Sequence, residues 1–127
     1  MDEPRSAAKK IATQHRLIDS LVRNLEGALA NGVVAEAENR VQRLIHAIEA
    51  HFTLEEDHYF PRAEAERPEL ADEVRALRAE HVALARGLEQ TAQHIDDGAV
   101  DAARATFRDF LEMLVQHERE ELALLES

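Results

Sequence analysis

Apolar residues recur at alternating steps of three and four along most of the chain, which is the spacing of an amphipathic α-helix. Four such stretches can be distinguished, and each gathers its apolar residues on one face. The four faces consist of Ile11, Ile18, Val22, Leu25 and Leu29; Val41, Leu44 and Ile48; Val74, Leu77, Leu84 and Leu88; and Phe107, Phe110 and Leu114. The pattern predicts an all-α fold, an antiparallel up-down-up-down four-helix bundle that buries these faces.

Helix-breaking residues fall between these stretches. Asn31-Gly32 predicts the end of the first helix and Asp97-Gly98 the end of the third, because glycine readily adopts the left-handed conformation that terminates helices. Pro4 suits the first turn of the first helix.

The second and third helices are separated by two prolines. Pro61 and Pro68 bracket the polar stretch 62–67, which we expect to connect the two halves of the chain. Pro68 suits the start of the third helix.

The chain repeats itself with an offset of 66 residues. The repeat carries three residues of metal-ligand type in each half: His15, His51 and Glu55, and then His81, His117 and Glu121. A repeat at a fixed offset indicates duplicated structural units. We therefore expect two related helical hairpins, at approximately residues 1–66 and 67–127, within one domain spanning residues 1–127.

Composition and charge exclude several classes of protein. With 15 Lys and Arg against 26 Asp and Glu, the net charge of −11 repels phosphate backbones and anionic lipid, so we expect neither nucleic acid nor membrane as a partner. The absence of cysteine excludes disulfides, thiolate catalysis and cysteine-held metal clusters. The N-terminus is polar and no stretch approaches the ~20 apolar residues of a membrane span, so we expect a cytoplasmic protein.

The six repeated residues lie where the apolar pattern calls for leucine or isoleucine. Burying imidazoles and carboxylates together is costly unless each is satisfied. No lysine or arginine lies on the predicted apolar faces to neutralise Glu55 or Glu121, whereas a bound cation would do so. A metal-free bundle with accidental buried polar groups is disfavoured by the same cost. The predicted metal ligands are His15, His51, Glu55, His81, His117 and Glu121.

The number and type of these donors indicate two metal ions. A histidine and a glutamate four residues apart lie about 40° apart around a helix, so both can reach the bundle axis. Four imidazoles and two carboxylates are too many donors for one tetrahedral zinc ion and suit two ions bridged by the carboxylates. Nitrogen and oxygen donors without sulfur fit iron, with manganese or zinc as alternatives.

In these residues the chain resembles the hemerythrin-like HHE cation-binding domain family, in its four-His, two-Glu branch. The likeness covers essentially the whole chain and rests on His15, the run HFTLEEDHYFP from His51 to Pro61, Glu80-His81, and HEREE from His117 to Glu121. The resemblance implies a non-haem di-iron centre with an oxo or hydroxo bridge. It further implies that the four histidines are terminal ligands and that Glu55 and Glu121 bridge the irons.

Two positions differ from the oxygen-carrying hemerythrins. Those proteins have a fifth histidine where this chain has Ala85, and an aspartate where it has Leu122. The missing imidazole argues against reversible oxygen transport and favours reactivity with small molecules. The branch also includes domains linked to iron sensing, nitric-oxide stress and iron–sulfur repair, although the cysteine-containing segment typical of the repair proteins is absent from this sequence.

Five other polar residues are candidates for a role at the centre. His58 is predicted to lie on the ligand face of its helix. It could be an additional ligand or support a ligand, but a histidine at the edge of the core is favoured. Tyr59 could donate a hydrogen bond to a bound oxygen species, but a half-buried packing role is favoured. Asp19 could orient an imidazole, or it could lie in solvent at the edge of the apolar face. His46 and His94 point about 140° away from the ligand direction and are predicted to lie at the surface.

Three glutamates and two aromatic residues next to the ligands receive no role at the centre. Glu56, Glu118 and Glu120 are predicted to be surface charges, and Phe52 and Phe60 to pack at helix flanks.

The sequence supports two kinds of function. The first is a di-iron protein that binds or reacts with a small diatomic or peroxide ligand, namely O2, peroxide or NO. Such a protein could be an enzyme that decomposes peroxide or oxidises ferrous iron. The second is an iron-sensing or oxygen-sensing module without catalysis, whose stability changes with ligation because metal binding is coupled to folding. The oligomeric state does not follow from the sequence.

Overall fold

The computed structural model describes the backbone of residues 3–126 and the side chains of residues 9–124. Residues 1, 2 and 127, which complete the predicted domain, lie outside this range. The described chain contains no strand. Its elements are, in order, α1 (Glu3–Asn31), α2 (Val34–Leu54), a π-helical segment (Glu55–Tyr59), α3 (Phe60–Glu66), a 3₁₀ turn (Pro68–Leu70), α4 (Ala71–Asp96) and α5 (Val100–Glu126).

The described helices form four long rods, because α2, the π-helical segment and α3 follow each other without a break. Neighbouring rods pack in a closed ring, α1 on α2, α2 on α4, α4 on α5 and α5 on α1. The connections 32–33 and 97–99 are so short that the rods they join run antiparallel. The predicted four-helix bundle is confirmed. None of the described helices is long and apolar enough to cross a lipid bilayer.

Both predicted glycine helix ends are confirmed and have the same structure. Gly32 and Gly98 have positive φ angles of 69° and 74°, which glycine adopts at little cost. After Gly98, the N–H of Ala99 donates to the carbonyl of His94 at 2.8 Å, and an equivalent bond follows Gly32. This pattern caps the last helical turn and reverses the chain. At the other end of α1, Pro4 is the second helical residue, as predicted.

The connection between the second and third rods is shorter than predicted. We expected a polar loop over residues 62–67, but the helix continues through Pro61 to Glu66. Pro61 is the second residue of α3 and is tolerated because it lies only two residues after the π-helical segment, where the α-helical hydrogen-bond ladder is already interrupted. The guanidinium of Arg78 approaches the carbonyl oxygen of Glu56 at 3.5 Å. Pro68 opens the 3₁₀ turn that leads into α4.

The residues predicted to form the apolar faces are all at most 9% exposed. They belong mainly to two clusters at opposite ends of the bundle. The larger lies towards Gly32 and Gly98 and includes Leu25, Leu44 and Phe110. The smaller consists of Phe60, Val74, Leu77 and Leu124. The six predicted metal ligands lie between these clusters, so the fold places a band of polar groups inside an otherwise apolar interior.

Candidate metal centre

The structure brings all six predicted ligands together in one cross-section of the bundle, which we call the polar layer. Every rod contributes to it: His15 from α1, His51 from α2, Glu55 from the π-helical segment, His81 from α4, and His117 and Glu121 from α5. Five of these side chains are at most 3% exposed. The side chain of His15 is 17% exposed. The inward placement predicted from helical spacing is thus confirmed.

Four residues of the polar layer form what we call the inner group, namely Glu55, His81, His117 and Glu121. One potential ligand atom from each lies within 4.8 Å of the others. The Nε2 of His81 is 3.0 Å from Oε1 of Glu55, and the Nε2 of His117 is 3.4 Å from Oε2 of Glu121. Ligand atoms that share one ion have separations of this size, because each binds at about 2.0–2.2 Å.

Three residues form a second set, the outer group, namely His15, His51 and Glu121. The Nε2 atoms of His15 and His51 are 3.1 Å apart. Oε1 of Glu121 lies 3.3 Å from the Nε2 of His15 and 3.8 Å from that of His51. This second set could hold another ion beside the first.

The carboxylates lie between the two groups. Glu121 belongs to both, with Oε1 facing His15 and Oε2 facing His117. Oε1 of Glu55 is 3.0 Å from the Nε2 of His81 in the inner group and 3.6 Å from that of His51 in the outer group. Carboxylates placed in this way can bridge two neighbouring cations.

The inner group fits a cation because its polar atoms are otherwise unsatisfied. Within the described part of the chain, six buried atoms have no hydrogen-bond partner: both carboxylate oxygens of Glu55 and of Glu121, and the Nε2 atoms of His81 and His117. Buried polar groups are almost always paired, and each unpaired group costs about 1–3 kcal/mol. All six atoms belong to predicted ligands, and a hard or borderline cation would satisfy them together.

Three of the four histidines are oriented by a hydrogen bond from Nδ1. His51 donates to Oε1 of Gln14 at 2.7 Å, His81 to Oε2 of Glu56 at 2.6 Å, and His117 to Oε1 of Glu80 at 2.6 Å. Each bond places the proton on Nδ1 and leaves the lone pair of Nε2 directed at the centre. Hydrogen bonds of this type fix the orientation of metal-binding imidazoles and raise their basicity.

These acceptors were not predicted from the sequence. Glu56 was predicted to be a surface charge. Its side chain is 39% exposed, but its carboxylate also reaches His81 from the π-helical segment, which was not predicted. Gln14 and Glu80 were not predicted to support the ligands, although the sequence repeat indicates both. Each directly precedes a repeated histidine, and they are separated by the same 66-residue offset as the ligands.

The buried carboxylates have strongly altered proton affinities. Burial, reinforced by the neighbouring Glu121, raises the pKa of Glu55 to about 11. Burial also opposes ionisation of Glu121, but the neighbouring imidazoles of His117 and His15 outweigh it and hold the pKa of Glu121 far below its usual range. Without a cation, one carboxyl of the pair therefore stays protonated.

The histidines divide according to their acidic neighbours. Burial lowers the pKa of His51 to about 4, and it also lowers the pKa of His81. For His117 and His15, burial is outweighed by nearby carboxylates, chiefly Glu121, so that their pKa values are raised. Imidazoles must be neutral to bind metal, and a cation would displace protons from the second pair.

Two aromatic rings enclose the inner group. Phe52 stacks on the imidazole of His81 with ring centroids 3.7 Å apart, and Phe60 stacks on the same imidazole at 5.5 Å. The prediction that these rings pack at helix flanks is wrong, since Phe52 is 7% exposed and Phe60 fully buried. The π-helical segment explains Phe60, because its wider turn makes the residue five positions after Glu55 face the interior.

The same wider turn corrects the prediction for His58. Regular α-helical spacing placed this residue on the ligand face, but it is exposed, so neither a metal-binding role nor a core-edge position applies. Tyr59 is half-buried and packs against the smaller apolar cluster, as favoured. Burial and the charges of Glu121 and Glu55 raise the pKa of its hydroxyl.

The remaining candidates lie at or near the surface. His46 is exposed as predicted, whereas His94 is half-buried; neither belongs to the groups that could hold a metal. Asp19 is exposed and contributes a negative charge near His15. Glu120 bonds to Gln116 on the same helix. Glu118 differs from its prediction as a surface charge, because it is partly buried and its Oε2 approaches the Nε2 of His15 at 3.8 Å.

Comparison with known protein families gave a match. Residues 6–126 match the family described as the hemerythrin HHE cation-binding domain. Searches of curated proteins and of solved structures gave no significant match.

Proposed function

Because the chain belongs to the hemerythrin HHE cation-binding domain family, we propose that it is a non-haem di-iron protein that binds or reacts with O2, peroxide or NO. The family and the buried clusters of histidine and glutamate support cation binding in general. Iron, the presence of two ions, their bridging and the reaction with a small molecule are our proposal.

One observation carries this proposal. Two groups of ligand atoms share Glu121, and the inner group leaves six buried atoms without a hydrogen-bond partner in the described structure. A single cation would satisfy one group only. Two cations, bridged by Glu121 and Glu55, would use all four imidazoles and both carboxylates.

The side chains of the polar layer have distinct roles in this proposal. The four imidazoles are terminal ligands held by Nε2, three of them oriented through Nδ1 by Gln14, Glu56 and Glu80. Iron, when bound, would supply Lewis-acid and redox chemistry at this site. Six protein ligands provide fewer donor atoms than two octahedral ions require, so positions remain for a small molecule.

The protein also controls the surroundings of that small molecule. Phe52 and Phe60 exclude water from the side of His81, which strengthens electrostatic interactions in the site. No lysine or arginine forms an ion pair with Glu55 or Glu121 among the described residues. No cationic side chain would therefore compete with the cations for these carboxylates.

The test is metal analysis combined with optical spectroscopy. Protein expressed in iron-sufficient medium should contain two iron atoms per chain. Its ferrous form should change its absorption spectrum on exposure to O2 or NO. Reversal of the change on deoxygenation would support binding, and sustained consumption of added peroxide would support catalysis. Iron-loaded protein that shows no spectral change and consumes no peroxide would contradict the reactive role.

The second candidate function is an iron-sensing or oxygen-sensing module without catalysis. Burial of Glu55 beside Glu121 favours it, because two adjacent carboxylates in an apolar interior destabilise the metal-free fold. Metal occupancy would then control the stability of the bundle. A large drop in melting temperature on chelation, without peroxide consumption, would favour this function over the first.

A further inference from the structure

The inner and outer groups differ in their access to solvent. The four residues of the inner group are at most 3% exposed. In the outer group, the side chain of His15 is 17% exposed. Of the six ligands, His15 is therefore the one that water can reach most readily.

His15 of α1 lies beside the seam between α1 and α5, where Glu118 of α5 approaches it. Among the described residues, α1 and α5 make the least extensive contact of the four neighbouring pairs of rods. Glu118 lies on α5 at this seam, with its side chain 21% exposed and its Oε2 3.8 Å from the Nε2 of His15. A partly exposed carboxylate at this distance can bind an incoming cation before the ion reaches His15.

The two groups differ at equivalent positions of the 66-residue repeat. Phe52 follows His51, and it covers His81 with a stacked ring. Glu118 follows His117 at the equivalent position and approaches His15 instead. One imidazole is thus covered by an aromatic ring, and its counterpart is approached by a carboxylate.

The hydrogen bonds at Nδ1 of the histidines also differ between the inner and outer groups. In the inner group, His81 and His117 both donate to carboxylates. In the outer group, His51 donates to the neutral amide of Gln14. No carboxylate accepts from the Nδ1 of His15 in the described structure, and the counterpart of Glu56 is the exposed Leu122. Carboxylate acceptors strengthen imidazole ligands, so the inner group should bind its ion more tightly.

The position of Glu55 adds to this difference. Its Oε1 lies 3.0 Å from the Nε2 of His81 in the inner group but 3.6 Å from that of His51 in the outer group. We propose that the inner group retains its cation while the outer group exchanges its cation with solvent, through the α1–α5 seam beside Glu118. This proposal rests on the dinuclear centre proposed above, and it adds a stable one-metal state and a route into the site.

Cobalt(II) is a suitable probe, because its absorption reports coordination. Metal-free protein is loaded with two equivalents of Co2+ and mixed with excess EDTA, and release is followed optically. We expect two phases of equal amplitude whose rates differ by about ten-fold or more. Release of both ions in a single phase would overturn the proposal, whereas a protein that binds no cobalt would contradict the di-metal centre itself.

Variants assign the phases to the two groups. His15→Ala should abolish the fast phase and leave the slow one, whereas His81→Ala should abolish the slow phase. Gln14→Glu gives His51 a carboxylate acceptor and should slow the fast phase by about ten-fold. Circular dichroism of each variant verifies that the bundle is folded. Loss of the slow phase in folded His15→Ala would overturn the assignment of the groups.

Glu118→Gln tests the route. We expect cobalt uptake and release in the fast phase to slow by about three-fold or more, with the slow phase unchanged, because the amide lacks the charge that attracts the cation. Glu112→Gln, at an exposed position on the same helix, is the matched control and should change neither phase. A fast phase that is identical in Glu118→Gln and Glu112→Gln would overturn the route beside Glu118.

Discussion

The Nδ1 atom of His117 lies 2.6 Å from Oε1 of Glu80, and this contact repeats the one that joins His51 to Gln14 in the other half of the bundle. In both cases the acceptor directly precedes a histidine of the neighbouring hairpin helix. The duplicated unit therefore contains the group that orients a ligand as well as the ligands.

Replacing Glu80 by glutamine should weaken metal binding by about 10–100-fold, because the imidazole of His117 loses the charged acceptor that orients it and raises its basicity. Competition against a chromogenic chelator measures this effect. Glu89→Gln, at an exposed position on the same helix, is the control and should bind as the unaltered protein does. Equal affinities for the two variants would show that Glu80 does not support the ligand.

Replacing Glu55 by glutamine should stabilise the metal-free protein while removing its gain in stability from metal. The buried carboxyl has a raised pKa, so folding at neutral pH carries the cost of keeping a proton on it. The neutral amide avoids that cost, and we expect an increase of about 1–3 kcal/mol in the free energy of unfolding. Urea denaturation with and without added metal measures both effects. A metal-free variant less stable than the parent would contradict the raised pKa.

The metal-free protein should lose stability as the pH rises above neutrality. The pKa of Glu55 is raised from 4.5 to about 11, and those of His15 and His117 are raised above 6.5, so the stability that these groups contribute at low pH is lost as the pH rises. His51, with its pKa lowered to about 4, affects stability only below about pH 6.5. Between about pH 7 and pH 9 we expect a fall of about 1–3 kcal/mol in the free energy of unfolding.

The same urea titrations on metal-loaded protein are the control for this pH dependence. Bound cations keep Glu55 ionised and the imidazoles neutral, so the loaded protein should show a much smaller change over this range. Metal uptake at about pH 7 should also release protons, measurable by calorimetry in buffers of different ionisation enthalpy. A metal-free protein whose stability is unchanged or rises from about pH 7 to pH 9 would contradict the pKa shifts.

His46 and His51 form a matched pair on one helix. His51→Ala should lower the bound metal count, because His51 belongs to the outer group. His46→Ala should leave it unchanged, since this side chain is exposed on another face of the helix. His94→Ala should also retain the full metal count. Elemental analysis of the purified variants distinguishes them, and a halved metal content in His46→Ala would contradict the helical geometry of the site.

The sequence was sufficient to predict most of the fold. Apolar spacing identified the buried faces, and Asn31-Gly32 and Asp97-Gly98 marked two helix ends. Both signals are local and follow from helical geometry. The helix through Pro61 was missed. A π-helical segment has no reliable sequence signal, and without it a proline at this position indicates a helix boundary.

The six ligands could be predicted because polar residues at buried helical positions need a specific partner. Their surroundings were harder to predict. Once a π-helical segment starts at Glu55, every later position on the rod is rotated, which moves His58 outward and Phe60 inward. The contact between Glu56 and His81 depends on the same rotation and on packing between rods. Only the Gln14 and Glu80 acceptors, which follow the repeat, had a signal in the sequence.

The number of metal ions bound per chain, counted by elemental analysis of the parent protein and of Glu121→Ala, tests the di-metal centre most directly. We expect two ions in the parent, and a loss of metal in Glu121→Ala, since both groups share that carboxylate. Two ions retained in folded Glu121→Ala would contradict its bridging position. A parent protein that binds no metal, although it is folded and supplied with iron, would contradict the centre as a whole.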